Sequence, residues 1–128
     1  MKKLVVSGLS ILFVLLLSVS LSFAEKAPQA VYDLASSELA AIGTDPVLVD
    51  AVKAENAKDK TMADIEAMDA KWKGHAGIAD YMKAMMDSPA GKRLTEIRDS
   101  EPYFVEIFLM DNQGANVAMS DKTSDYWQ

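Results

Sequence analysis

The chain has 128 residues, of which 13 are lysine or arginine and 19 are aspartate or glutamate, so its formal net charge is −6. This length suits one small domain, and an acidic chain without a basic stripe is a poor partner for nucleic acid or anionic lipid. Because the chain has no cysteine, apolar packing rather than disulfide bonds must stabilise its fold.

Residues 1–24 have the pattern of a secretory signal peptide. Lys2 and Lys3 precede an apolar stretch, and Ser22 and Ala24 are the small residues that a signal peptidase reads. The pattern predicts cleavage after Ala24 and a periplasmic or otherwise extracytoplasmic protein. An uncleaved membrane anchor is the alternative, because about twenty apolar residues can span a bilayer. Cleavage would leave 11 basic and 19 acidic residues, a net charge of −8.

Helical spacing and capping residues predict that residues 25–100 are mainly helical. The predicted segments are Pro28 to Ile42, ended by Gly43; Asp45-Pro46 to about Asn56; the Thr61 and Asp64 capping pair to Gly74; Ile78 to Met85; and Ser88-Pro89 to Glu101-Pro102. The side chains expected to face a core are those of Val31, Leu34, Ala35, Ile42, Leu48, Ala51, Val52, Ile65, Met68, Trp72, Ile78, Tyr81, Met82, Met85, Leu94 and Ile97.

A β-hairpin is predicted over residues 103–120. The first strand runs from Tyr103 to Met110, Asp111 to Gly114 form the turn, and the second strand runs from Ala115 to Ser120. The chain is therefore predicted to be α+β, with N-terminal helices packed on the hairpin. No residue after Ser120 is expected to extend the sheet.

The first strand has apolar residues on both faces, which is typical of a sheet covered on both sides. Helices can cover one face, and the other must contact more protein or an enclosed pocket. If nothing covers it, one apolar face stays exposed. Glu106 is expected to face water at an edge. The two faces comprise Phe104, Phe108 and Met110 on one side and Val105, Ile107 and Leu109 on the other.

Four segments resemble, in order and spacing, the exported single-Cache proteins, also called PDC sensor domains. They are Asp45–Asn56, Ile65–Trp72, Ile107–Ala118 and Thr123–Gln128. The resemblance implies a PAS-like fold, in which the hairpin is the start of a larger antiparallel sheet that cradles a small ligand. It also implies that the pattern continues past Gln128, so that residues 25–128 would be the N-terminal part of such a domain.

The resemblance implies a function as well. Members of this family sense small extracellular molecules for membrane signalling proteins. The expectation is a non-catalytic sensor-type domain with a small-molecule ligand, a membrane signalling partner and no cofactor. The alternative is a periplasmic interaction or assembly factor that completes its sheet with a strand from a partner.

The candidate ligand-binding residues lie on and after the hairpin. By resemblance, Asp125, Tyr126 and Trp127 wall the pocket, although aromatic side chains here could equally be core. Phe108 and Met110 are candidates on one apolar face of the first strand. Asp111 could bind a ligand amine, but a turn aspartate that binds its own backbone is the favoured interpretation.

Metal binding and catalysis are the rejected alternatives. Thioether sulfur binds Cu(I), but the helical methionines have core spacing, and methionine is an ordinary core residue. His75 has no second histidine or cysteine with which to form a zinc site, and no nucleophile with a base is recognisable. The methionines concerned are Met62, Met68, Met82, Met85 and Met86.

Overall fold

The structure is a computed structural model that describes residues 26–128, so the predicted signal peptide and its cleavage site lie outside the described residues. The described residues fall into two units that meet between Asp33 and Leu34. In the first unit, which covers residues 26–33, the side-chain amide of Gln29 donates a hydrogen bond to Asp33 at 2.9 Å. The second unit, Leu34–Gln128, contains the sheet.

The first helical stretch consists of α1 (Gln29–Leu34), a π-helical turn (Ala35–Leu39) and α2 (Ala40–Ile42). The predicted helix is confirmed, but its apolar stripe is not, because Val31 and Ala35 are exposed. A π-helical turn takes more residues than an α-helical turn. The 3.6-residue spacing therefore does not carry from Leu34 across residues 35–39 to Ile42.

The next two helices begin at the predicted caps. Helix α3 (Pro46–Asn56) begins after Asp45, whose carboxylate accepts the N–H of Val47 at 3.0 Å. Helix α4 (Met62–Lys73) begins with a capping box between Thr61 and Asp64, in which each side chain accepts the backbone N–H of the other. Both caps satisfy backbone donors that a helix start leaves unpaired.

Helices α5 (Asp80–Asp87) and α6 (Pro89–Ser100) follow in quick succession, and Ser88 caps α6. The expectation that Ile78 faces the core is wrong, because its side chain is exposed. Helix α5 starts two residues later than the apolar spacing predicted, and the small Ala79 takes the buried position before it.

The predicted hairpin is present, but its first strand is shorter than expected. Strand β1 (Phe108–Met110) pairs antiparallel with β2 (Asn116–Met119), and the register shifts between Leu109 and Met110. Residues 103–106 are not a strand. The last ladder bond joins the N–H of Ser120 to the carbonyl of Ile107, so earlier residues have no partner strand.

The second edge of β2 is covered by the end of the chain. Asn116 N–H donates to the carbonyl of Tyr126 at 2.9 Å, and Gln128 N–H donates to the carbonyl of Gly114 at 3.0 Å. Ala115 and Trp127 form an antiparallel bridge. The described residues form a sheet of two strands and no third strand follows Ser120, as expected, but an isolated bridge at Trp127 still pairs with this edge.

Two apolar clusters form the core between the helices and the sheet. The first cluster joins α4 and α5 to the hairpin and the chain end, and the second joins α3 and α6 to the hairpin. The fold class is therefore α+β, as predicted. The first cluster comprises Ile65, Trp72, Ala79, Met82, Ala115, Met119 and Tyr126, and the second comprises Leu48, Ala90, Leu94, Ile97 and Ala118.

Methionine acts mainly as core in the described residues. Met82 is fully buried, and Met68, Met85 and Met86 pack against the first cluster. Met62 departs from the expectation, because it is exposed in the first turn of α4.

Candidate functional site

The predicted Asp125-Tyr126-Trp127 segment is held in place by a carboxylate of α4. Asp69, which is buried, accepts the backbone N–H groups of Tyr126 at 3.0 Å and Trp127 at 3.3 Å. Its other oxygen accepts Lys73 at 2.7 Å. Burial would raise the pKa of Asp69, but these bonds outweigh it and hold the pKa below its ordinary value.

Tyr126 belongs to the core and does not wall a pocket. It is 5% exposed, and its ring centroid lies 5.7 Å from that of Trp72. The indole N–H of Trp72 donates to the carbonyl of Thr123 at 2.9 Å, which fixes the chain just before Tyr126. Of the two roles left open for the aromatic segment, Tyr126 therefore has the core role.

Trp127 and Asp125 lie at the surface on either side of Tyr126. Trp127 is 38% exposed, and its indole N–H donates to the carbonyl of Gln113 in the hairpin turn at 2.9 Å. A Cβ at Gly114, where φ is +82°, would lie 3.4 Å from the Trp127 ring nitrogen. Glycine therefore lets the indole lie close against the turn. Asp125 forms an ion pair with Lys73 at 3.4 Å.

Asp111 is a turn aspartate, as the favoured interpretation held. One carboxylate oxygen accepts the N–H groups of Gln113 and Ala115, each at 2.9 Å. The other lies 2.8 Å from the ammonium group of Lys60. Burial would raise the pKa of Asp111, but Lys60 and the two N–H bonds outweigh it and lower the pKa.

Lys60, which is half-buried, joins three parts of the molecule through its ammonium group. Besides Asp111, it contacts Glu55 of α3 at 3.1 Å and the phenol oxygen of Tyr126 at 3.2 Å. Burial would lower the pKa of Lys60, but the hydrogen bonds to Asp111, Tyr126 and Glu55 outweigh it and raise the pKa. The ammonium group of Lys60 is paired within the protein, so we interpret it as stabilising the hairpin turn and not as a ligand-binding group.

Phe108 and Met110 lie on the uncovered face of β1. They are 36% and 41% exposed, and Val105 before them is 83% exposed. Ile107 and Leu109 instead pack against the second core cluster, as does Phe104. One apolar face of this strand is therefore exposed, as its two-sided pattern predicted, although Phe104 and Val105 lie on the faces opposite to those expected. Phe104 and Val105 precede β1 and make no ladder hydrogen bonds, so their side chains need not alternate between the two faces of the sheet.

The six predicted site residues do not form one pocket. Strand β2 separates Phe108 and Met110, on one of its sides, from Tyr126 and Trp127, on the other. Of the six, Phe108 alone lines the groove described next.

An apolar groove of about 320 Å³ lies between α3 and β1. Leu48, Val49 and Val52 contribute from the helix, and Ile107 and Leu109 contribute from the segment of β1. This volume lies at the small end of the range for small-molecule sites. The complete lining is Ile42, Gly43, Leu48, Val49, Val52, Lys53, Leu94, Ile107, Phe108 and Leu109.

Lys53 is the charged side chain in this lining. Its ammonium group lies 3.9 Å from the carboxylate of Asp50, and both side chains are largely exposed. Such a long, exposed ion pair contributes little to stability. Lys53 is therefore free to exchange Asp50 for an anionic group of a ligand.

The sequence contained a signal for this groove. Val49 and Lys53 are four residues apart on α3, beside the core position of Leu48, and Ile107 and Leu109 alternate along the strand. The pairing between helix and strand was not readable, because it joins segments more than fifty residues apart. The sequence analysis therefore placed the candidate site on the hairpin and the residues after it, and not between α3 and β1.

The described residues contain no cluster of three or more His, Asp or Glu side chains placed to hold a metal ion. Within residues 26–128, no helix has the length and apolar character needed to cross a bilayer. Comparison of the chain with family models, with curated proteins and with solved structures found no match in any of the three.

Proposed function

We propose that this protein is an exported, non-catalytic domain of the sensor type, which binds a small molecule in the groove between α3 and β1. The apolar lining of that groove carries the proposal. Seven aliphatic side chains and one phenylalanine line a space in which an apolar molecule would lose contact with water. A ligand bound there would alter the surface presented to a membrane signalling protein.

The groove limits the size and chemistry of the ligand. A volume of about 320 Å³ corresponds to about ten water molecules, which suits a molecule the size of an amino acid or a medium-chain acid. Lys53 favours an anionic end. We therefore propose an apolar carboxylate as the class of ligand.

The test measures binding of octanoate and of octanol to the purified protein by calorimetry. Octanoate should bind more tightly than octanol, because only octanoate carries a charge for Lys53. Lys53→Gln should weaken octanoate binding about two- to fivefold, as expected for an exposed ion pair, and should leave octanol binding unchanged.

Val52→Arg tests the location of the site. A long charged side chain at this lining position should block both ligands. Val47→Arg is the matched control, because Val47 lies on the same helix, is exposed and does not line the groove. Equal binding by both variants and the unaltered protein would exclude the groove as the site.

A further inference from the structure

The outer edge of β1 is the unpaired edge of the sheet in the described residues. Ile107, Leu109 and Asp111 direct their backbone groups towards β2, as the bonds of Ile107 with Ser120 and of Asp111 with Ala115 show. Backbone groups alternate in direction along an antiparallel strand. The N–H and C=O groups of Phe108 and Met110 therefore point away from β2, and no described residue outside the hairpin bonds to them.

This edge has few of the features that block pairing. Natural edge strands are usually protected by proline, by lysine or by a bulge in the edge strand itself. Strand β1 reads Phe108-Leu109-Met110, and the extra residue of the bulge, Val117, lies on β2. The opposite edge of the sheet already pairs with an extended segment, Tyr126–Gln128.

We propose that the outer edge of β1 binds an extended segment of a partner protein as an additional β-strand. This interaction differs from ligand binding in the groove, although the two sites share Ile107, Phe108 and Leu109. The incoming strand would bond to the N–H and C=O groups of Phe108 and Met110. Its apolar side chains would lie beside Ile107 and Leu109.

Charge defines the partner further. Glu106 is exposed two residues before β1 and has no ion pair among the described residues. A basic residue on the outer face of the incoming strand would pair with it. A second copy of this chain would present Glu106 and apolar residues at the same edge, so it lacks that basic residue. The partner is therefore an alternating apolar segment with a lysine or arginine on its outer face.

A designed peptide tests this proposal. The probe is the acetylated peptide Val-Thr-Val-Thr-Val-Lys-Val, titrated into the purified protein. In the proposed pose the valines face the groove and direct their N–H groups away from β1, while threonine and lysine direct theirs towards it. N-methylation of the threonines and lysine should weaken binding about tenfold or more, and N-methylation of the valines should be tolerated. Equal effects of the two methylation patterns would overturn backbone pairing.

Variants of the protein supply a second test. Phe108→Pro removes the outward N–H without removing a bond to β2, whereas Phe108→Thr removes the ring and keeps the N–H. The peptide should bind to the threonine variant and not to the proline variant. Equal peptide binding would overturn strand addition. Met110→Pro and Met110→Thr repeat the comparison at a residue that does not line the groove, so octanoate should bind equally to both, while the peptide should bind only to the threonine variant.

Glu106→Lys tests the charge of the partner. The peptide should bind more weakly to this variant, and a peptide with glutamate in place of lysine should bind more tightly. Sedimentation of the unaltered protein without peptide should give a monomer. A dimer that Phe108→Pro converts to a monomer would show that a second copy occupies the edge, and would overturn the proposal.

Discussion

Two buried carboxylates position the hairpin turn and the last residues of the described chain. Asp69 and Asp111 are both buried, and each accepts two backbone N–H groups and one lysine. The turn role of Asp111 was predictable, because its partners Gln113 and Ala115 are close in sequence. The role of Asp69 was not predictable, because its partners Tyr126 and Trp127 lie 57 and 58 positions later in the sequence.

Asp69→Ala should destabilise the fold by about 2–3 kcal/mol, because it leaves the N–H groups of Tyr126 and Trp127 without their acceptor. Urea unfolding followed by tryptophan fluorescence would measure the change. Glu66→Ala is the control, because Glu66 is exposed on the same helix, and it should change stability by less than about 0.5 kcal/mol. Equal effects of the two changes would mean that Asp69 does not position the chain end.

The same carboxylates predict how stability depends on pH. The folded-state pKa values of Asp69 and Asp111 lie below their ordinary value of 3.8. The unfolded chain therefore takes up protons first as pH falls. Their contribution to stability is complete above about pH 5 and is lost progressively below it.

Urea unfolding at a series of pH values would show this acid limb. Asp111→Asn should flatten it, whereas Asp59→Asn, a change at an exposed carboxyl without an ion pair, should not. A limb that is equally steep in all three proteins would contradict the assignment to Asp111.

At the scale of elements, the sequence predicted helix starts correctly, because a capping side chain and the backbone N–H group that it binds are close in sequence. The caps at Asp45, Thr61 and Ser88 mark the starts of α3, α4 and α6 as predicted. Strand length was overestimated, because the apolar run from Tyr103 continues beyond the reach of β2. The paired part of the first strand begins where the second strand ends, at the bond between Ser120 and Ile107.

The junction of α5 and α6 depends on a glycine. A Cβ at Gly91 would collide with the backbone carbonyl oxygens of Met85 and Met86. Gly91→Ala should therefore destabilise the fold by about 3 kcal/mol, as overpacking of a core does. Gly43→Ala is the matched control. Gly43 has a negative φ and no neighbour closer than 3.4 Å to an added Cβ.

Gly43→Ala should leave stability unchanged or raise it by up to about 1 kcal/mol. Thermal unfolding of the two variants would compare them. A tolerated alanine at Gly91 would show that the two helices lie farther apart than the structure places them.

At the scale of the whole molecule, composition and periodicity predicted an α+β chain with helices on one face of a hairpin. They also predicted that one apolar face would lack a cover. They did not predict that residues 126–128 would pair with β2. This pairing places Tyr126 in the core, and not in the pocket that the resemblance implies. The groove between α3 and β1 arises only when helix and strand are brought together, so the sequence showed its two halves but not their pairing.

The central claim is that the groove, and not the aromatic chain end, is the binding site. Methyl NMR of the purified protein during an octanoate titration tests it most directly, with the indole N–H signal of Trp127 followed in the same samples. We predict saturable shifts of the Val52, Ile107 and Leu109 methyl signals and a stationary Trp127 signal. Shifts of the Trp127 signal with unchanged groove methyls would contradict the account.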